Sequence, residues 1–176
     1  FTGRGHHPLL DWVRIDAASA KGCIWAERIV LFIRGDGDFA YLAVLDNLNR
    51  DNGVHDYQWQ LQANLHTRID TRGDTAADVM GTTARLECHF FSPLAADYPS
   101  SPHRLRVFAD AHPHRHLWTK EPEPNPRLVA EQHGPNGNLM ALVIPRRTVD
   151  PRVIVRNAPG LRTFNVYVEH GDWIDQ

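Results

Sequence analysis

Four amide side chains on alternate positions, Gln58, Gln60, Gln62 and Asn64, are the residues whose types and spacing most directly suggest chemistry. Successive side chains on an extended strand point to opposite sides. These four therefore share one face, while Tyr57, Trp59, Leu61, Ala63 and Leu65 share the other. Each amide both donates and accepts hydrogen bonds, which is the capacity needed to read sugar hydroxyl groups. Gln58, Gln60, Gln62 and Asn64 are accordingly the candidate substrate-binding residues. The same row would serve equally well as a surface packed against another sheet or another part of a longer chain.

The eleven histidines raise the question of metal binding. His112, His114 and His116 alternate, and in an extended segment they would share one face, a spacing that suits zinc or copper. Pro113 sits among them, and no Cys, Asp or Glu completes a ligand set before Glu121. Histidine on an exposed segment is ordinarily solvated surface, so no metal site is assigned. Asp46, with Asp36, Asp38, Asp51 and Asp56 close in sequence, brings calcium to mind. Arg34-Gly35-Asp36-Gly37-Asp38 fits an oxygen-ligand loop only in part, and Asp and Gly favour turns without any ion. The Arg34-Gly35-Asp36 and Arg72-Gly73-Asp74 triplets read as turns too. There is no nucleophile elbow and no phosphate-binding glycine loop, so a self-contained hydrolase or nucleotide enzyme is not expected. No catalytic residue is assigned.

The elements that must position these groups are strands. At 176 residues, 42% hydrophobic and 23% charged, the chain has the composition of one globular domain over residues 1–176 rather than of a disordered polymer. A formal net charge of −2 supplies no electrostatic reason to expect nucleic acid or an anionic membrane surface as partner. No apolar run approaches the roughly 20 residues of a membrane span. The start at Phe1 rather than Met suggests a piece cut from a longer polypeptide. Cys23 and Cys88 lie in separate strand-like runs; they can pair if the parent is exported, though two isolated cysteines are more often small buried hydrophobes.

Residues 10–15, 23–33, 39–45, 57–65, 83–91, 104–109, 127–132, 139–144, 152–155 and 163–168 are rich in β-branched and aromatic residues or alternate at period two, predicting about ten strands. Turn chemistry separates them at Asp51-Asn52-Gly53, Thr71-Arg72-Gly73-Asp74, Pro135-Asn136-Gly137-Asn138 and Ala158-Pro159-Gly160. Residues 119–126 carry Pro122, Pro124 and Pro126 and read as a surface loop, since proline lacks the backbone donor of a central strand. A weak helical pattern is confined to residues 75–79. The expected fold is all-β, an antiparallel β-sandwich, with Trp25, Phe32, Leu42, Val44, Trp59, Leu61, Leu86, Val107, Leu142 and Val166 in the shared core. The unbroken apolar runs at residues 29–33 and 42–45 suit strands covered on both sides, the second cover coming from outside this chain.

The order of segments resembles a known family. Leu10-Asp11-Trp12-Val13-Arg14-Ile15-Asp16-Ala17, Trp25 to Ile33, Tyr41-Leu42-Ala43-Val44-Leu45-Asp46 and Tyr57-Gln58-Trp59-Gln60-Leu61-Gln62 are similar, in that order, to the β-sheet region of heparinase II/III-like polysaccharide lyases. The strand from Leu139 to Pro145 and the turn Val168-Glu169-His170-Gly171-Asp172 match later parts of that pattern. The resemblance implies a carboxy-terminal sandwich that follows an α/α toroid and forms one wall of a cleft for acidic polysaccharide, in a periplasmic or secreted protein. It also implies β-elimination: a base takes the proton beside a uronate carboxyl, and an acid protonates the leaving oxygen. The family's proton-transfer residues and metal-binding carboxylate fall upstream of Phe1, so no cofactor is expected in this chain, and a metal ion would belong to the upstream region. His6-His7 lies closest to that region, but no Asn follows and the spacing to Asp16-Ala17 departs from the family's His-Asn motif. No catalytic or zinc role is carried over to it. The implied partners are the upstream toroid and an acidic polysaccharide; the alternative is an independent carbohydrate-binding or interaction module.

Overall fold

The computed structural model describes residues 1–35, 39–92, 105–114, 123–158, 165–170 and 173–175, which form strands almost throughout. In chain order these are β1 (Gly3–His7), β2 (Leu10–Asp16), β3 (Trp25–Arg34), β4 (Ala40–Asn49), β5 (His55–Gln62), β6 (Arg68–Arg72), β7 (Ala76–Met80), β8 (Ala84–Phe91), β9 (Leu105–His114), β10 (Glu123–Gly134), β11 (Gly137–Arg147), β12 (Ile154–Ala158), β13 (Asn165–His170) and β14 (Trp173–Asp175). One four-residue helix, α1 (Ala18–Lys21), interrupts them.

The strands make three antiparallel sheets. An eight-stranded sheet runs β1-β2-β3-β4-β11-β8-β7-β6, and two three-stranded sheets run β5-β10-β9 and β12-β13-β14. The large sheet is the middle layer. Val44, Cys88, Phe90, Leu139 and Ala141 on one face pack against Trp59, Val107, Leu128 and Ala130 of the β5-β10-β9 sheet. Ala43, Leu142 and Ile144 on the other face pack against Val153, Val166 and Val168 of the carboxy-terminal layer. Neighbours such as Ala43 and Val44, or Ala141 and Leu142, are thus buried in opposite cores. That is the origin of the unbroken apolar runs, since a strand covered on both faces has no wet side to carry polar residues. The all-β antiparallel expectation holds, and the second cover comes from within the chain itself.

Five further expectations are corrected, the last being the proline-rich segment. Trp25, Phe32 and Leu42 are 39%, 38% and 36% exposed and lie outside both cores. Phe32 and Leu42 are cross-strand partners on the face that carries Val44, but at a position the β5-β10-β9 sheet does not cover. Trp25 stands at the start of β3 and donates its Nε1–H to Asn47 Oδ1 at 3.0 Å. Residues 75–79 give the strand β7 and not a helix turn: Ala76 to Val79 are all buried between β6 and β8, where sheet pairing overrides alanine's helix propensity.

The proline-rich segment is strand from Glu123 onward. The Pro126 carbonyl accepts from Ala63 N at 2.8 Å, so the Pro126 backbone, and by period two that of Pro124, turns away from β9. The missing donors therefore fall on the side where no ladder bond to β9 is lost. Pro122 lies outside the described residues.

Trp59 packs edge-on to Phe90 with ring centroids 5.2 Å apart, joining two layers. Trp59→Ala is expected to cost about 3–5 kcal/mol in urea denaturation, while Phe32→Ala costs less than about 1 kcal/mol. Equal costs would contradict this assignment of faces.

Candidate functional site

The β5-β10-β9 sheet turns one face to the core and one to solvent, and the outer face is where the predicted amides lie. Register sets the rows. Gln58 stands opposite Glu131 and Arg106, Gln60 opposite Val129 and Phe108, and Gln62 opposite Arg127 and Asp110. A continuous chain of polar contacts crosses this surface. Arg106 donates to Glu131 Oε1 at 2.8 Å, and Gln58 Nε2 donates to Glu131 Oε2 at 2.6 Å. Gln60 Nε2 donates to Gln58 Oε1 at 2.7 Å, and Arg127 donates to Gln60 Oε1 at 3.3 Å and, through Nε, to Asp110 at 2.8 Å. Arg106 also lies over the Phe108 ring, 4.6 Å from its centroid. Val129, in the middle of this row, is completely buried although its strand face is the outer one.

Of the four predicted residues, the structure brings Gln58 and Gln60 into this ladder and places Gln62 in its next row. Asn64 follows just beyond β5, where its carbonyl accepts from Thr67 N. The side-chain amides of Gln62 and Asn64 have no hydrogen-bond partner among the described residues and are exposed, so both remain open to a ligand. Sequence reasoning missed Arg106, Asp110, Arg127 and Glu131. A signal existed: Arg106-x-Phe108-x-Asp110 and Arg127-x-Val129-x-Glu131 carry opposite charges when read in antiparallel order.

Every guanidinium in the ladder is matched by a carboxylate. Arg127 holds the Asp110 carboxyl below its usual range through their hydrogen bonds, and Asp110 raises Arg127 in turn. The face is charge-balanced and rich in paired donors and acceptors, a composition suited to hydroxyl groups more than to free anions.

The other sequence candidates resolve into structural roles. Asp46 is buried, and both its oxygens accept from Arg28, at 2.6 and 2.7 Å, so an ion pair occupies the carboxylate considered for calcium. Asp51 accepts from Gly53 N at 2.8 Å, a turn contact. Asp36 and Asp38 lie outside the described residues. No group of potential metal ligands occurs among the described residues; the His116 position and the His114 side chain lie outside them. Cys23 and Cys88 are both free, and burial pushes the Cys88 thiol up to about 12. His6 pairs through Nδ1 with Asp11, which also pairs with Arg34, on the uncovered face beside Phe32.

No family model and no curated protein matches the chain. Among solved structures, it is similar to a heparan sulfate lyase HepC mutant from Pedobacter heparinus, with a TM-score of 0.66 at 16% identity over 98% of this chain. It is likewise similar to HepC from the same organism, with a TM-score of 0.64 at 17% identity over 94% of this chain. The chain spans about a quarter of the length of these proteins, 26% and 25%. The likeness establishes a shared fold.

One titratable group near the opposite core carries a pH prediction. Burial, then the neighbouring Arg72, pushes His89 down from 6.5 to about 4. Between these values the unfolded chain holds the extra proton, so stability falls as pH drops from 6.5 and the loss levels off below about 4. Against a His89→Gln variant, the parent should lose on the order of 2 kcal/mol between pH 7 and pH 4, after allowance for partial exposure. Parallel pH–stability curves would remove His89 as the cause.

Proposed function

We propose that this chain is the non-catalytic β-sandwich portion of a polysaccharide lyase of the heparinase II/III-like kind. Its parent cleaves uronate-containing acidic polysaccharide by β-elimination, and this portion forms one wall of the substrate cleft. The observation that carries the reading is a fold match running over essentially the whole chain yet covering only a quarter of a heparan sulfate lyase. The segment order that resembles the family's sheet region supports the same assignment. Residues 1–176 then constitute one β-sandwich domain beside a helical toroid, in a periplasmic or secreted protein. The proton-transfer groups, and any metal ion, belong to the helical portion. Elimination needs base, acid and charge-stabilising donors assembled around one uronate, and the described residues offer no such constellation.

The surface that meets the helical portion is the uncovered end of the large sheet. His6, Asp11, Phe32 and Leu42 form one cross-strand row on β1 to β4, with two large apolar side chains facing solvent. Exposed apolar groups rimmed by polar ones mark interaction sites. A second reading, an independent carbohydrate-binding module, draws support from the open amides of Gln62 and Asn64.

The chain alone is expected to release no unsaturated uronate product from heparan sulfate or alginate, as followed by ultraviolet absorbance, whereas the chain joined to its helical portion does so. Product from the isolated chain would place the active site here and overturn the non-catalytic assignment.

Phe32→Ser combined with Leu42→Ser is expected to weaken association with the helical portion at least tenfold by calorimetry, with the isolated chain's melting temperature changed by only a few degrees. If the parent chain shows no such association, and oligosaccharide instead shifts the side-chain amide signals of Gln58, Gln60, Gln62 and Asn64, the module reading replaces this one.

A further inference from the structure

The described residues leave few buried polar atoms without partners, and several of them gather at one place on the sheet face that carries the carboxy-terminal layer. Arg72 Nε, Arg72 NH2, Asp78 Oδ1 and His89 Nε2 are all buried without a hydrogen-bond partner among the described residues. Arg72 NH2 lies 3.0 Å from Asp78 Oδ1, an ion pair by distance that is out of hydrogen-bonding line. Buried groups in this state are rare because each forfeits its hydration with no return. A cluster of them points to something that they jointly hold.

Register explains the cluster. Arg72 on β6 is opposite Ala76 on β7, and Ala76 is opposite His89 on β8. The three side chains share one face, with only the alanine's methyl group on the strand between them, and the Arg72 guanidinium reaches across β7 to Asp78. Asp78, with its side chain 2% exposed, also accepts at Oδ2 from Arg152 of the β11–β12 connection, at 2.5 Å. Arg152 itself is 53% exposed, so the cluster meets the surface at this residue.

The charges do not cancel. Arg72 and Arg152 share the single carboxylate of Asp78. The acids on either side of Asp78 in its cross-strand row are occupied: Asp70 pairs with Arg68 at 2.7 Å, Glu87 Oε1 accepts from Arg85 at 3.0 and 2.7 Å, and Glu87 Oε2 accepts from Val153 N at 3.2 Å. Among the ion pairs of this row, two guanidiniums thus meet one carboxylate at Asp78, beside unpaired N–H donors. We propose that Arg72, Arg152 and His89 form a notch for one oxyanion group, a carboxylate or a sulfate, seated over Ala76 and accepting from Arg72 and from His89 Nε2.

The groups facing His89 are Arg72, Glu87, Asp78 and Arg152, and the ring is held neutral, so it offers a single N–H to such a ligand. The notch is on the opposite side of the large sheet from the amide ladder, and it stands whether or not the lyase reading does.

The test is a titration of the whole chain with sodium sulfate at constant ionic strength, following the His89 ring signals by NMR together with the melting temperature. Saturable shifts confined to His89 and the Arg72 side chain, with a rise in melting temperature, are expected. Arg72→Gln and Arg152→Gln, each checked for a native circular dichroism spectrum, should weaken binding at least tenfold, while Arg4→Gln leaves it unchanged. If Arg72→Gln does not fold, Arg152→Gln, on an exposed connection, carries the test alone. Parallel titrations with acetate, glucuronate and a uronate-containing tetrasaccharide separate the sources. Tighter binding of the tetrasaccharide assigns the notch to a glycan's acidic group, and equal binding of acetate and glucuronate assigns it to a free small anion. Linear shifts without saturation, or variants that respond like the parent, overturn the proposal and leave the orphaned atoms to ordered water.

Discussion

Burial of the eight-stranded sheet on both faces is the constraint on which the rest of this structure depends. At β4, β11 and β8 successive residues enter opposite cores, and Phe90, Ala141 and Ile144 are completely buried while Leu142 is 1% exposed. A charged side chain on either face of such a strand is costly unless it finds a partner. The charged residues that do occur there are consequently fixed. Glu87 is completed by Arg85 and by the backbone of Val153, and Arg85 also donates to the carbonyls of Thr148 and Asp150. The connection that carries the chain from the middle layer to the third is thereby pinned to β8 by ionic and backbone contacts, and Val153 is delivered into its core.

The same sheet is covered unevenly, and rows of cross-strand partners make this visible. One row passes from Ala77 and Cys88, both fully buried, through Val143 to Leu42, Phe32, Asp11 and His6. The side chains alter little in hydrophobicity between Val143 and Phe32; what changes is that the β5-β10-β9 sheet ends. On the opposite face a row runs from Trp12 through Leu31, Ala43 and Leu142, all apolar, to His89, Ala76 and Arg72. The middle layer thus offers, on one face, an apolar pair on β3 and β4 flanked by the His6–Asp11 pair, and on the other a charged end at β6 to β8.

Much of this was legible in the sequence wherever a strand has one wet face. The period-two run through Gln58, Trp59 and Gln60 identifies β5 and its orientation, because alternation is a local property. The doubly covered strands were legible as such from their unbroken apolar runs. What covered them was not, since β12 and β13 are short and nothing local specifies that Val153, Val166 and Val168 dock on Leu142. Apolar strand faces put Phe32 and Leu42 in the core, but exposure there is decided by where another sheet stops. The β6–β7 hairpin was hidden because Ala76-Ala77-Asp78-Val79 has helix-compatible composition and acquires strand geometry only from β8 beside it. The ladder was half legible: its amides lie on one strand, its charged members on two others, and their juxtaposition is a matter of long-range register.

Charge balance separates the two kinds of surface that register has built. On the ladder, Arg106 and Arg127 are each opposed by a carboxylate within 2.8 Å, so an incoming anion would have to displace an existing ion pair and would gain little. A hydroxyl group displaces nothing: it can accept from one amide and donate to the next, and Gln62 and Asn64 retain that capacity. An acidic group is better served where cations outnumber carboxylates in a partly desolvated setting, because the attraction is less screened there than at the surface. Arg72 and Arg152 around Asp78 are such a setting. A glycan bearing both hydroxyl and acidic groups would therefore find its complementary chemistry divided between opposite sides of the middle sheet, too far apart for one short oligosaccharide to engage both. Recognition of sugar hydroxyls and recognition of an anion are separable properties of this fold.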